Sequence, residues 1–129
     1  RVRNLHERRC DFNRDAFCES IDAVANATGG EGFIAIKISA LGRPTLLLCQ
    51  SESIEQTHNF VKILNSRTGK LESPVRNLTP QEEQEFTNIV RRTGEVAEYA
   101  ISRGVRLLVD AEQTYLQPAI SRMAVALMR

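Results

Sequence analysis

Two charged residues stand where chemistry is often built. Lys37 lies near the end of the apolar run Phe33-Ile34-Ala35-Ile36-Lys37-Ile38-Ser39, and Asp110 closes Val105-Arg106-Leu107-Leu108-Val109-Asp110. A fixed ammonium can hold a carboxylate, and a neighbouring carboxylate can keep that ammonium in place. A lysine can also add to a carbonyl substrate and form a Schiff base. The chemically idle alternative is a buried ion pair that fills a barrel interior, since an unpaired buried charge is costly. Glu112 is either a third member of this network or a solvated loop residue. Arg106 lies at the opposite end of its segment and reads as structural. Tyr115 falls at the rim, where packing is its expected role.

The elements that must position these residues follow from periodicity. Both segments are short, β-branched or leucine-rich and bounded by turn signals, so both read as buried strands. In the first, Ile34, Ile36 and Ile38 share one face and Ala35, Lys37 and Ser39 the other. In the second, Leu107 and Val109 face one way, and Leu108, Asp110 and Glu112 the other. A helix is expected over Asp15–Ala27, where Phe17, Ile21, Val24 and Ala25 recur at helical spacing, with a turn at Thr28 to Gly32. A second helix is expected over Ser51–Leu64, following the apolar group Leu46-Leu47-Leu48. Thr79-Pro80-Gln81-Glu82 is a capping-box start for a third. It should run to Arg103, bury Phe86, Ile89, Val90, Ala97, Ala100 and Ile101, and stop at Gly104. A last helix opens at Pro118. Residues 1–14 read as a connecting segment and 65–78 as a surface loop.

Strands that alternate with helices imply parallel β/α units. Two strands cannot close a (β/α)8 barrel of ~250 residues. The helical pattern after Gln117 also runs to Arg129 without a stop signal, so the expectation is one segment, 1–129, of a longer catalytic domain. In α/β folds the carboxyl ends of the strands are where sites form, and Lys37 and Asp110 occupy them.

Composition narrows the classes. The 129 residues are 42% hydrophobic and 26% charged, with a net charge of +1. That balance argues against a nucleic-acid binder held by phosphate contacts. No apolar run approaches the ~18 residues of a membrane span. Cys10, Cys18 and Cys49, with His6 and His58, match no metal-ligand spacing, so no metal site is expected and the thiols read as reduced and inert. Gly29-Gly30-Glu31-Gly32 precedes a strand and lacks the spacing of a dinucleotide loop. The acidic run Glu82-Glu83-Gln84-Glu85 suits the positive end of a helix.

Two blocks carry a more specific signal. Gly32 through Pro44, GFIAIKISALGRP, closely resembles the lysine-bearing strand of the eukaryotic proline dehydrogenases. Gly104 through Tyr115, GVRLLVDAEQTY, resembles the next strand of that family, and Leu116 through Arg122 continues the likeness. The resemblance implies part of a distorted (β/α)8 barrel that oxidises L-proline to Δ1-pyrroline-5-carboxylate, with FAD passing electrons to a quinone. It implies a substrate-carboxylate role for Lys37, a place in the catalytic polar network for Asp110, and contact with the flavin for Ala111. It also implies a mitochondrial location, on the matrix side of the inner membrane.

The arginines that clamp substrate in that family, and most FAD contacts, have no counterpart in these residues. The stretch between the two strands is shorter than the insert of some animal relatives. The expectation is that these residues alone neither hold FAD tightly nor oxidise proline. The rival readings are an aldolase-like barrel with a Schiff-base lysine, and a non-catalytic binding fragment.

Overall fold

The computed structural model of the chain describes residues 2–59, 63–64, 71–72 and 78–128. The elements run α1 (Val2–Thr28), β1 (Phe33–Ile36), α2 (Pro44–Asn59), β2 (Ile63–Leu64), β3 (Leu71–Glu72), α3 (Pro80–Ser102), β4 (Arg106–Val109) and α4 (Gln117–Leu127), with a 3-10 turn at Ile38–Ala40. β1 and β4 pair in parallel, with Phe33 opposite Arg106 and Ile36 opposite Val109. β2 and β3 form a separate antiparallel pair. The architecture is α/β and mostly helical. Among the described residues no helix is long and apolar enough to cross a membrane.

Among the described residues the parallel pair is covered on one side only. Ile36 is buried and Ala35 exposed, as the alternation of the strand requires, and just past the strand end Lys37 is exposed and Ile38 buried. Ile36 joins Ile21, Ala25, Val96, Ala100 and Val105 in one core between α1, α3 and the strands. Ile38 joins Leu46, Leu47, Ile89, Leu116 and Ile120 in a second, between α2, α3 and α4. Each fully buried isoleucine or leucine contributes about 1.5–3 kcal/mol relative to an exposed one. Burial of the isoleucine side therefore decides which face of the strands stays open.

Several boundaries differ from the sequence reading, each for a physical reason. Residues 2–14 belong to α1 and do not form a connecting segment. Apart from the buried Cys10, their inner face is polar and docks on polar residues of α3, so a hydrophobic period could not reveal it. Asp11 Oδ1 accepts from Arg92 Nε at 2.7 Å, Glu7 Oε2 accepts from Arg92 Nη2 at 2.8 Å, and Arg14 Nη1 donates to Glu95 Oε2 at 2.9 Å. β1 ends at Ile36, and the chain then tightens into the 3-10 turn. α2 begins at Pro44, where a proline at the first helical position has no amide to waste, and takes in Leu46–Leu48. It ends at Asn59, and Ile63–Leu64 is strand. Of the loop expected over 65–78, residues 65–70 and 73–77 lie outside the described residues, and Leu71–Glu72 is the strand β3.

α3 starts as its motif predicts. Thr79 Oγ1 accepts from Glu82 N–H, and Glu82 Oε2 accepts from Thr79 N–H at 2.9 Å. Its stop is also as expected. Gly104 takes φ +71°, and Val105 N–H reaches back to Ala100 O at 2.9 Å, which closes the last turn. The buried face differs, because Val90 and Ile101 are exposed. The inward positions are Glu82, Glu85, Ile89, Arg92, Thr93, Val96 and Ala100, so each apolar outlier sits about 100° away from the buried stripe.

Candidate active site

Register places the charged residues side by side. β1 and β4 pair with a constant offset, Ala35 against Leu108 and Ile36 against Val109. The ladder continues one step further, with Asp110 N–H donating to Ile36 O at 2.9 Å. Lys37 and Asp110 therefore leave the sheet together on its open face. Lys37 Nζ stands 3.9 Å from Asp110 Oδ2, with 65% and 47% of the two side chains exposed. Among the described residues the pair is in contact but not buried. Contact is close enough for charge attraction, and most of the ammonium's three donors remain available.

Two residues further along, the same offset produces a second link. Glu112 Oε1 accepts from Ser39 N–H at 3.1 Å, and Ser39 Oγ donates to Glu112 Oε2. Glu112 N–H in turn donates to Gln117 Oε1 at 3.0 Å, at the start of α4. Glu112 is thus a bridge between the two loops that carry Lys37 and Asp110. Its partner Ser39 was legible in principle, since 37 with 110 and 39 with 112 share one register. What the sequence lacked was the register itself.

The remaining candidates separate from this group. Ala111 is exposed next to Asp110, just past the end of β4. Tyr115 is exposed rather than packed. Arg106 is exposed at the far end of β4, where its N–H donates to Gly32 O. Glu82 serves the α3 cap, and Glu85 Oε2 accepts from Arg43 Nε at 2.7 Å, so the acidic run is consumed by structure. The three cysteines are free thiols, and burial raises the pKa of Cys10 and Cys18. That makes both poor nucleophiles. The side chain of His58 lies outside the described residues. Two apolar grooves of about 340 and 370 Å³ lie on the helix side, against α3 and α4, and neither is lined by Lys37 or Asp110.

Comparison with known proteins agrees with the two blocks. The chain is 40% identical to proline dehydrogenase 1, mitochondrial, of Caenorhabditis elegans, covering 95% of this chain and 31% of that protein. The human protein of the same name is 27% identical over 96% of this chain and 33% of its own length. Hydroxyproline dehydrogenase of Xenopus laevis is 31% identical over 95% of this chain and 27% of its own. The chain thus spans between 27% and 33% of these relatives. The worm alignment runs over 192 residues, more than the 129 present here, so that relative carries residues without a counterpart in this chain. No family model matches the chain, and no solved structure matches it. Matched along nearly its whole length, this chain is similar to a segment of the proline dehydrogenases about a third of their length.

Proposed function

We propose that the chain is part of an FAD-dependent oxidoreductase that converts L-proline to Δ1-pyrroline-5-carboxylate and passes the electrons to a quinone. The observation that carries the reading is the pairing of Lys37 with Asp110 on the open face of two parallel strands. In this reading Lys37 binds the substrate carboxylate through charge-assisted hydrogen bonds. Asp110 is the catalytic carboxylate of the polar network and keeps the ammonium oriented. Serine and glutamate two residues on hold the two loops at a fixed separation.

A flavin is a broad, flat ring, and the open face suits one wall of its site. Ala35 leaves that face uncrowded, Leu108 supplies half-exposed apolar surface, and Ala111 is exposed just past the strand end. Ala111 would lie against the ring. When bound, the flavin takes the hydride that leaves proline as a ring C–N bond becomes C=N. The strands β1 and β4 would belong to a (β/α)8 barrel whose other strands complete the wall. One wall holds a cofactor weakly, so the chain by itself would neither retain FAD nor turn over proline. Its open strand edges would also favour self-association. The parent enzyme would act on the matrix side of the mitochondrial inner membrane, which fits the mitochondrial naming of the relatives.

The test is anaerobic mixing of the purified full-length protein with L-proline, and in parallel with hydroxyproline. Loss of the oxidised-flavin absorbance with L-proline, together with formation of the cyclic imine product, is the expected result. An unchanged flavin spectrum would overturn the reading. So would borohydride trapping of a carbonyl substrate on Lys37, which is the signature of the Schiff-base alternative.

A further inference from the structure

The turn that follows Lys37 is held at every step by groups outside it. Its own hydrogen bonds are short-range, with Ala40 N–H to Lys37 O at 3.1 Å and Leu41 N–H to Ile38 O at 2.9 Å. The Ala40 carbonyl then accepts from Asn13 Nδ2 of α1 at 2.8 Å. The Leu41 carbonyl accepts from Arg92 Nη1 of α3 at 3.0 Å. Gly42 lies so close to Ile89 that a Cβ would fall 2.0 Å from Ile89 Cγ1. Arg43 is anchored to Glu85. Glu85, Ile89 and Arg92 follow at four- and three-residue spacing, so one face of α3 grips the turn.

Arg92 is the unusual member. It is 1% exposed, and its other nitrogens are taken by Asp11, by the Glu7 carboxylate and by the Glu7 carbonyl. An apolar side chain of similar volume often packs such a position as stably as a buried ion group does. It could not, however, hold the Leu41 carbonyl. The planar fork of a guanidinium can reach two carboxylates and that carbonyl together, which a point-like ammonium cannot.

We infer that Arg92 is a positioning residue for Lys37, acting through the Leu41 carbonyl and the 3-10 turn to fix where the exposed ammonium meets the substrate carboxylate. The inference rests on the proposed carboxylate role of Lys37. Among the described residues the one ion-pair partner of Lys37 is Asp110, at 3.9 Å, so the backbone beneath Lys37 does most to set its placement.

The experiment compares Arg92→Lys, Asn13→Ala, Lys37→Met and the corresponding double variants in the full-length enzyme, each checked for flavin content. Arg92→Lys is expected to raise the KM for proline about tenfold while kcat stays within about twofold, the pattern of a lost binding contribution. In the Lys37→Met background the same change should add almost nothing, because a residue that acts through another loses its effect when that other is gone. Asn13→Ala, at a half-buried position that tolerates truncation, should give a smaller KM rise with the same dependence on Lys37. Equal effects of Arg92→Lys with and without Lys37 would overturn the inference. So would an unchanged KM in both Arg92→Lys and Asn13→Ala while Lys37→Met raises it, which leaves the carboxylate reading standing. If Lys37→Met itself leaves the KM unchanged, the carboxylate reading fails and the inference falls with it.

Discussion

Lys37 and Asp110 meet at 3.9 Å with 65% and 47% of their side chains in solvent, whereas Arg92 is fully enclosed and contacts two carboxylates at 2.7 and 2.8 Å. Both are ion groups in the same 129 residues, and they do opposite work. The enclosed group joins α1, α3 and the turn after β1, and each guanidinium nitrogen has an assigned partner. The open group keeps donors and acceptors unspent. A charge whose hydrogen bonds are all satisfied internally can only support structure, while one left partly unsatisfied at a strand end can bind a ligand. The difference separates the frame of this site from its working surface.

The sharpest way to break that separation is to remove the enclosed charge. Arg92→Ala should lower the unfolding free energy by about 3 kcal/mol, because it leaves Glu7 and Asp11 without their shared cation and the Leu41 carbonyl without its donor. Chemical denaturation of the full-length protein measures this, and a loss below about 0.5 kcal/mol would place Arg92 with ordinary surface residues. Lys37→Met should leave stability nearly unchanged and raise the KM for proline by about ten- to a hundredfold, the range of one charge-assisted hydrogen bond. Unaltered steady-state kinetics would assign the pair to packing.

Gly42→Ala tests the frame again, since its Cβ collides with the buried Ile89. A loss of about 1–3 kcal/mol is expected, seen as a lower Tm, and a neutral result would show that α3 does not press on the turn. Thr79→Ala removes the cap of α3, far from the open pair, and should cost about 1 kcal/mol without altering the KM. The smallest effect concerns pH. The hydrogen bond from Arg92 holds the Asp11 carboxyl below its ordinary range. Its contribution is therefore present above the unfolded value of about 3.9 and fades as pH falls through the lower folded value. Asp11→Asn should flatten the acid limb of the stability profile; an identical limb in both proteins would mean that other carboxylates govern it.

Much was determined by the residue order alone. The alternation of isoleucines with Ala35, Lys37 and Ser39 dictates which face of β1 is buried, and the capping box at Thr79 and the stop at Gly104 mark α3 at both ends. These are local effects, settled by the period of a strand or by the orphan amides of a helix end. The strand-end positions of Lys37 and Asp110, and the two blocks that resemble proline dehydrogenase, were legible for the same reason. Tertiary structure decided the rest. The polar face of residues 2–14 has no hydrophobic period, and its helix is stabilised by partners about eighty residues away in α3. Nothing in the sequence marks Arg92 as enclosed, which comes about only when α1 and the turn close over it, and Val90 and Ile101 read as core until the angle of α3 turns them outward. The link between Ser39 and Glu112 needed the register of two strands 73 residues apart. Periodicity reports which side of an element is buried, but a long-range polar contact exists only when two faces have met, and its energy depends on both.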